Sequence, residues 1–151
     1  KLKGWQARYI GELDWKGPNR RELPPKYFSC PNSKFRSQCI YNLDGMKEWE
    51  TGIVVEGPTD VYGFGAMSGC IFGNTMTTIQ RRRFLAVFRR RSGVLLLDPE
   101  EFESAPTQRL IAEMRAKMSF CAVKLPEKTD PGSLDRKFMR SYVQQEAKKP
   151  P

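Results

Sequence analysis

Five carboxylates stand where short apolar runs break off. Ile53-Val54-Val55 runs into Glu56-Gly57-Pro58-Thr59-Asp60, Val94-Leu95-Leu96-Leu97 runs into Asp98-Pro99-Glu100, and the run Phe120–Leu125 is followed by Asp130-Pro131-Gly132. If these runs are parallel strands, their ends share one edge and the acids converge there. Gathered carboxylates repel, by about 1 kcal/mol per pair at about 4 Å even at the dielectric of water, and several-fold more beside protein. A divalent cation removes that cost. Oxygen-only ligands select magnesium or manganese. Such an ion orients phosphates, stabilises charge in phosphoryl transfer and lowers the pKa of an attacking hydroxyl. The plainer alternative is a set of unrelated, solvated loop carboxylates.

Other chemistries are excluded by what the chain lacks. Its 151 residues contain no histidine, so there is no imidazole base, no histidine-dependent triad and no histidine metal ligand. The four cysteines, Cys30, Cys39, Cys70 and Cys121, show no C-x-x-C spacing, which argues against zinc. Cys70 and Cys121 fall in apolar runs and read as core thiols. This usage fits a reducing cytoplasm, the expected location. No apolar run approaches the roughly 20 residues of a membrane span, and no signal peptide is expected. The chain opens on Lys1 rather than methionine and is expected to be part of something larger. With 26 Lys+Arg against 17 Asp+Glu, a net charge of +9 and a pI near 9.6, a polyanionic partner is favoured, nucleic acid before anionic membrane.

The elements that must position the acids alternate from Gly52 onward. Ile53–Val55 reads as a strand covered on both faces, stopped by Gly57-Pro58, with a helical segment over Asp60–Met67. Cys70-Ile71-Phe72 is the next strand, closed by Gly73-Asn74. Thr77 and Gln80 form a capping-box signature before a helix with Phe84, Val87 and Phe88 on one face. Val94–Leu97 is the third strand. Ser104 and Pro106 start a helix carrying Leu110, Ile111, Met114 and Met118. Phe120–Leu125 is the fourth strand, and Leu134, Phe138, Tyr142 and Val143 mark a last helix. Strands alternating with helices predict a parallel, right-handed α/β sheet.

Residues 1–50 form a different, basic N-terminal subdomain. Trp5–Ile10 alternates like a half-buried strand and Lys26–Cys30 is a second candidate, whereas Cys39–Leu43 fits either a strand or the entry to a helix. Arg8, Arg20, Arg21, Lys26, Lys34 and Arg36 are interleaved with Trp5, Tyr9, Trp15, Tyr27 and Phe35. Cations beside flat side chains suit single-stranded nucleic acid, and equally a small β-rich unit with an aromatic core. Two arginine runs, Arg81–Arg83 and Arg89–Arg91, flank one helix. They read as a solvated outer face or as auxiliary phosphate contacts.

The Glu-Gly-x-x-Asp motif at Glu56–Asp60, followed by Asp98-Pro99-Glu100, resembles the Toprim domain. Pro25-Lys26-Tyr27, Ile40-Tyr41-Asn42-Leu43 and Gly4-Trp5-Gln6-Ala7-Arg8 resemble the basic segment before Toprim in bacterial and phage-type DNA primases. Ile71–Met76 with Gln80, Lys124-Leu125-Pro126 and Thr129-Asp130-Pro131-Gly132 resemble later primase motifs, so the similarity covers nearly the whole chain. It implies an α/β, Toprim-like fold: a mostly parallel four-stranded sheet flanked by helices over 51–147, preceded by the small β-rich basic subdomain, with a tail at 148–151. It implies RNA primer synthesis on a single-stranded DNA template from ribonucleoside triphosphates, with a replicative helicase as a possible partner and no membrane.

By the same resemblance, Glu56 and Asp98 are catalytic. Glu56, Asp60, Asp98, Glu100 and Asp130 hold magnesium or manganese, and Arg8, Lys26, Lys34 and Arg36 contact template or nucleotide. Three positions depart from the family pattern. Glu100 replaces the second aspartate of Asp-x-Asp, Glu103 stands where a glycine is usual, and Gly132 stands where many primases have an acid. Two rival readings use the same residues: a Toprim nuclease with water as nucleophile, and a non-catalytic module that binds single strands.

Overall fold

The computed structural model describes residues 3–14, 17–19, 21–31, 33–125, 137, 141–143 and 145. The chain divides into two compact units, Lys1–Phe35 and Arg36–Pro151. In the first, β1 (Gln6–Arg8) pairs antiparallel with β2 (Tyr27–Ser29), with Ala7 opposite Phe28. Both strands are short because turn-forming residues bound them. The ladder is extended by Tyr9 N donating to Lys26 O and Cys30 N donating to Trp5 O. Phe35 is buried and Tyr27 half-buried, but not every aromatic here joins a core. Trp5, Tyr9 and Phe28 stay exposed, and the Trp5 and Phe28 rings lie 5.7 Å apart. This excludes the aromatic-core alternative for those three residues.

A short helix α1 (Phe35–Gln38) spans the division, followed in the second unit by α2 (Leu43–Met46). The stretch Cys39–Leu43 therefore resolves into a single antiparallel bridge, Tyr41 with Cys70, then left-handed Asn42 and the helix. The remaining elements alternate as the β-branched and apolar runs demand: β3 (Thr51–Val55), α3 (Pro58–Phe64), a 3₁₀ turn (Gly65–Met67), β4 (Ser68–Cys70), α4 (Thr78–Phe88), β5 (Ser92–Leu97), α5 (Pro99–Phe102), α6 (Ala105–Arg115) and β6 (Ser119–Lys124). Among the described residues these strands form a four-stranded, all-parallel sheet in the order β4-β3-β5-β6. The expected last helix and the Asp130 turn lie largely outside the described residues, of which Tyr142 and Val143 are helical.

Alternation along the strands sorts the core into two layers. Val54, Leu95 and Leu97 face Phe84 and Phe88 of α4 and Leu110, Ile111 and Met114 of α6. Ile53, Val55, Val94 and Leu96 face Val61 and Phe64 of α3, with Val143. Each fully buried side chain of this size contributes roughly 1.5–3 kcal/mol of transfer free energy, so both faces must be covered, as parallel sheets require.

Two boundaries differ from the sequence expectation. β4 ends at Cys70, and Phe72 has left the strand with a φ of 60°. The strand sits earlier because Gly69, not a bulkier residue, fits beneath the Tyr41 carbonyl and the Met46 sulfur, where a Cβ would clash. The helix expected over Asp60–Met67 begins at Pro58, a favoured first helical residue, and breaks at Gly65, whose φ is 79°. The Thr77/Gln80 capping box is present as expected: Gln80 N donates to Thr77 Oγ1 at 3.2 Å and Thr77 N donates to Gln80 Oε1 at 2.9 Å. Gln80 also does more than cap. It is fully buried, and its Nε2 donates to the carbonyls of Arg36, Cys39 and Ile71.

Candidate active site

The connection from β3 leads outward to β4, whereas the connection from β5 leads the other way to β6. β3 and β5 are neighbours, so the topology reverses between them. At such a switch point the loops after the two strands part and leave a crevice at the carboxyl edge of the sheet. Glu56 follows β3 and Asp98 follows β5, so these two acids flank that crevice. The register makes Val54 the partner of Leu95. One residue past the end of each strand, Asp98 N donates to Glu56 Oε1 at 3.4 Å.

Asp60 is held by its own turn. Its Oδ2 accepts from Gly57 N at 2.9 Å, and Asp60 N donates to Gly57 O at 3.2 Å. This closes the tight turn that Gly57-Pro58 announces and keeps the Asp60 charge close behind Glu56. On the far side, Gly73 N donates to the Glu56 carbonyl at 3.2 Å. The loop after β4 thus borders the crevice too, and it contains the left-handed Phe72. For a residue with a Cβ that conformation costs about 1 kcal/mol or more and is found disproportionately at functional sites.

The electrostatics single out Glu56. Burial, then the charge of Asp98, then those of Glu101 and Asp60 push its carboxyl up from 4.5 to about 7, against the lowering effect of the Asp98 N–H. Glu101 is the acid that sequence reasoning missed. Asp98-x-Glu100 drew attention to Glu100, but Pro99 starts α5 at once, and a helix turns successive side chains by about 100°. Glu100 is exposed, whereas Glu101 is half-buried and acts on Glu56. The available signal was Pro99 after an acid at a strand end, which favours a helical first turn over an extended Asp-x-Glu. Glu103 is exposed, 4.0 Å from Lys124 Nζ.

A pH dependence follows. Glu56 binds its proton more tightly folded than unfolded, so its contribution to stability is complete below about pH 4.5 and is lost as the pH rises through about 7. Discounted for solvent at this half-buried group, the effect is about 1–2 kcal/mol. With a chelator present, melting temperature is expected to fall from about pH 5 to 8 by several degrees more in the native protein than in Glu56→Gln. Parallel melting curves for the two would refute the raised pKa.

The basic candidates divide between the units. Arg8, Lys26 and Lys34 lie in the first, all exposed, with the Arg8 guanidinium 5.6 Å from the centre of the Tyr27 ring. Arg36 lies in the second, and its Nη2 donates to Phe72 O at 3.0 Å, on the loop that borders Glu56. Asp130 lies outside the described residues.

The donor set is oxygen-only. Among the described residues no three acids are grouped closely enough to cage an ion by themselves. That geometry still fits magnesium, which is commonly held by one or two carboxylates, with waters and substrate phosphates completing its shell. Among the described residues, no helix is long and apolar enough to cross a membrane.

A four-stranded parallel sheet of this order, flanked by helices and with acids at its switch point, is an α/β fold like that of a primase core. Solved structures carry the same architecture. The structure of the DnaG catalytic core superposes with a TM-score of 0.71 at 18% identity, covering 94% of this chain and 48% of that one. A DNA primase domain from Pseudomonas aeruginosa gives 0.65 at 20% identity, covering 95% and 46%. The DnaG primase catalytic domain bound to ssDNA gives 0.67 at 15% identity, covering 94% and 47%. The chain thus has the fold of a primase catalytic core and spans about half the length of these structures. No family model and no curated protein sequence matches it.

Proposed function

We propose that this chain is the metal-binding part of a DNA primase core, joining ribonucleoside triphosphates on a single-stranded DNA template. The observation that carries the reading is Glu56, half-buried at the switch point with Asp98 and Glu101 raising its pKa. A carboxylate held in repulsion with its neighbours is ready for a cation. Glu56 and Asp98 are the residues that would hold magnesium or manganese, with Glu101 and Asp60 adding negative charge behind them. When bound, that ion supplies charge stabilisation for the transferring phosphoryl group.

By resemblance, Glu56 would act through the metal or as the general base that accepts a proton from the attacking hydroxyl. Glu100 and Asp130 remain candidate ligands by resemblance. The exposed Trp5, Tyr9 and Phe28, with Arg8, Lys26 and Lys34, offer base-stacking faces and phosphate contacts for the template. Arg36 would meet phosphate from the loop beside Glu56. One of the structural neighbours is a primase domain solved with single-stranded DNA. A replicative helicase, a cytoplasmic location and a phage-type origin belong to this proposal by resemblance alone.

The test is incubation with a single-stranded template, labelled ribonucleoside triphosphates and magnesium or manganese. Templated oligoribonucleotides that vanish with a chelator support the reading. Cleavage of labelled DNA without triphosphates would transfer the site to the nuclease reading. Metal-independent binding of single strands with neither reaction would leave a binding module.

A further inference from the structure

Helix α4 and the turn that follows it carry more positive charge than the fold consumes. Arg81 is used: its Nη1 lies 3.1 Å from Glu113 Oε2 on α6. Arg91 is used: its Nη1 donates to the carbonyls of Lys47 and Trp49. Arg82, Arg83, Arg89 and Arg90 are exposed, and among the described residues none forms an ion pair with an acid. The helix has no acid in its first turn and contains none elsewhere. Arg82 and Arg83 have no acid three or four residues away on the helix to pair with. Local structure therefore gives these two cations no compensation.

Their spacing makes a surface. Buried Gln80, Phe84 and Phe88 turn one stripe inward, so the residues on the opposite side share the outer face. At about 100° per residue, Arg82 falls above Arg89, the C-cap, whose backbone is still right-handed helical, two turns and roughly 10 Å along the axis; Arg90 follows in the turn after the helix. Exposed Ala86 and Ile79 lie between Arg82 and Arg83 around the helix. The result is four exposed guanidinium groups on the outer face and C-terminal end of α4, beside a low apolar strip.

We propose that the outer face of α4 is a docking surface for the phosphate backbones of a nucleic-acid duplex. Single strands are held by cations together with aromatic faces on which bases stack. Among the described residues, α4 itself turns no aromatic side chain outward, only guanidinium groups over Ala86 and Ile79. It can contact phosphates and not base faces, and a duplex is the nucleic acid that presents phosphates while hiding its bases. The surface lies on a flank of the sheet and does not depend on the acids at the strand ends.

The experiment measures binding of this chain to a labelled 20-base-pair duplex and to each of its strands, over a range of salt, with a chelator and no nucleotides. Replacing Arg82, Arg83, Arg89 and Arg90 together by Gln is expected to reduce the slope of log affinity against log salt on the duplex by about 3–4, near 0.9 for each phosphate no longer neutralised. Replacing only Arg82 and Arg83 should remove about half of that. Lysine at the four positions should preserve the slope, and circular dichroism melting should match the native protein in every variant. An unchanged duplex slope overturns the proposal. So does a loss confined to single strands, or one seen only on phosphatidylserine vesicles. Because no metal or triphosphate is present, a failure here leaves the nucleotidyl-transfer reading untouched, and the converse holds.

Discussion

Glu56→Gln is expected to eliminate metal-dependent nucleotide incorporation while making the metal-free protein more stable at alkaline pH. The amide is nearly isosteric and keeps an oxygen to accept the Asp98 N–H, so the turn after β3 persists. What disappears is one negative charge at the strand-end crevice. That removes an oxygen proposed to hold the cation, and the group proposed to receive the hydroxyl proton. Loss of one preorganised electrostatic contact typically lowers a rate by about 10²–10³-fold, and manganese affinity, followed by loss of the free-ion spectrum, should weaken by at least about tenfold. Repulsion from Asp98, Glu101 and Asp60 is relieved at the same time, so the melting temperature above about pH 7 should rise. The opposed signs exclude simple unfolding as the cause. Primers made at the native rate by this variant would defeat the catalytic assignment. A stability gain without any change in metal affinity would place the ion elsewhere.

Gln80→Leu is expected to have the largest effect on folding. Gln80 is fully buried and takes part in both halves of the capping box. Its amide bonds the carbonyls of Arg36 at 2.9 Å, Cys39 at 2.8 Å and Ile71 at 3.0 Å. Leucine matches the volume but leaves those carbonyls without the donor, and leaves Thr77 N without its acceptor. Each buried polar group left unmade costs about 1–3 kcal/mol, so a loss of about 3–5 kcal/mol is expected in urea unfolding, with a drop of roughly 10 °C in melting temperature. The segment 36–40 should loosen first, read as faster amide exchange there than in β5. A loss below about 1 kcal/mol would mean the three carbonyl bonds are dispensable. Gln80→Glu is a useful companion: it keeps the cap acceptor but turns a second oxygen on the three carbonyls in place of the amide donor, so it should be at least as destabilising.

Patterning carried the fold a long way. Runs such as Ile53–Val55 and Val94–Leu97 are too apolar for a one-sided strand, and helical periodicity lies between them. Covered parallel strands were therefore the expected answer, and the sheet is all parallel among the described residues. Local boundary chemistry was legible where the side chain itself makes the bond, as at Thr77 and at Ser104, whose Oγ accepts from Thr107 N at 3.4 Å. It failed where a distant neighbour decided. Cys70-Ile71-Phe72 reads as a strand in isolation, but Tyr41 and Met46 select Gly69 as the residue beneath them, and the strand ends at Cys70.

The same division governs the site. Sequence alone determined that acids end apolar strands and that no imidazole is available, because residue type and local order are properties of the chain. Tertiary structure decided which acids interact. β3 and β5 become neighbours only because β4 is displaced to the outside, and that order brings Glu56 against Asp98 across a separation of 42 residues. It also made Glu101, in the first turn of α5, one of the acids acting on Glu56, since a helical turn at Pro99 sets side-chain direction by angle and not by position in the motif. Electrostatic energy depends on distance and burial through the folded space between groups, and neither is written in the order of residues.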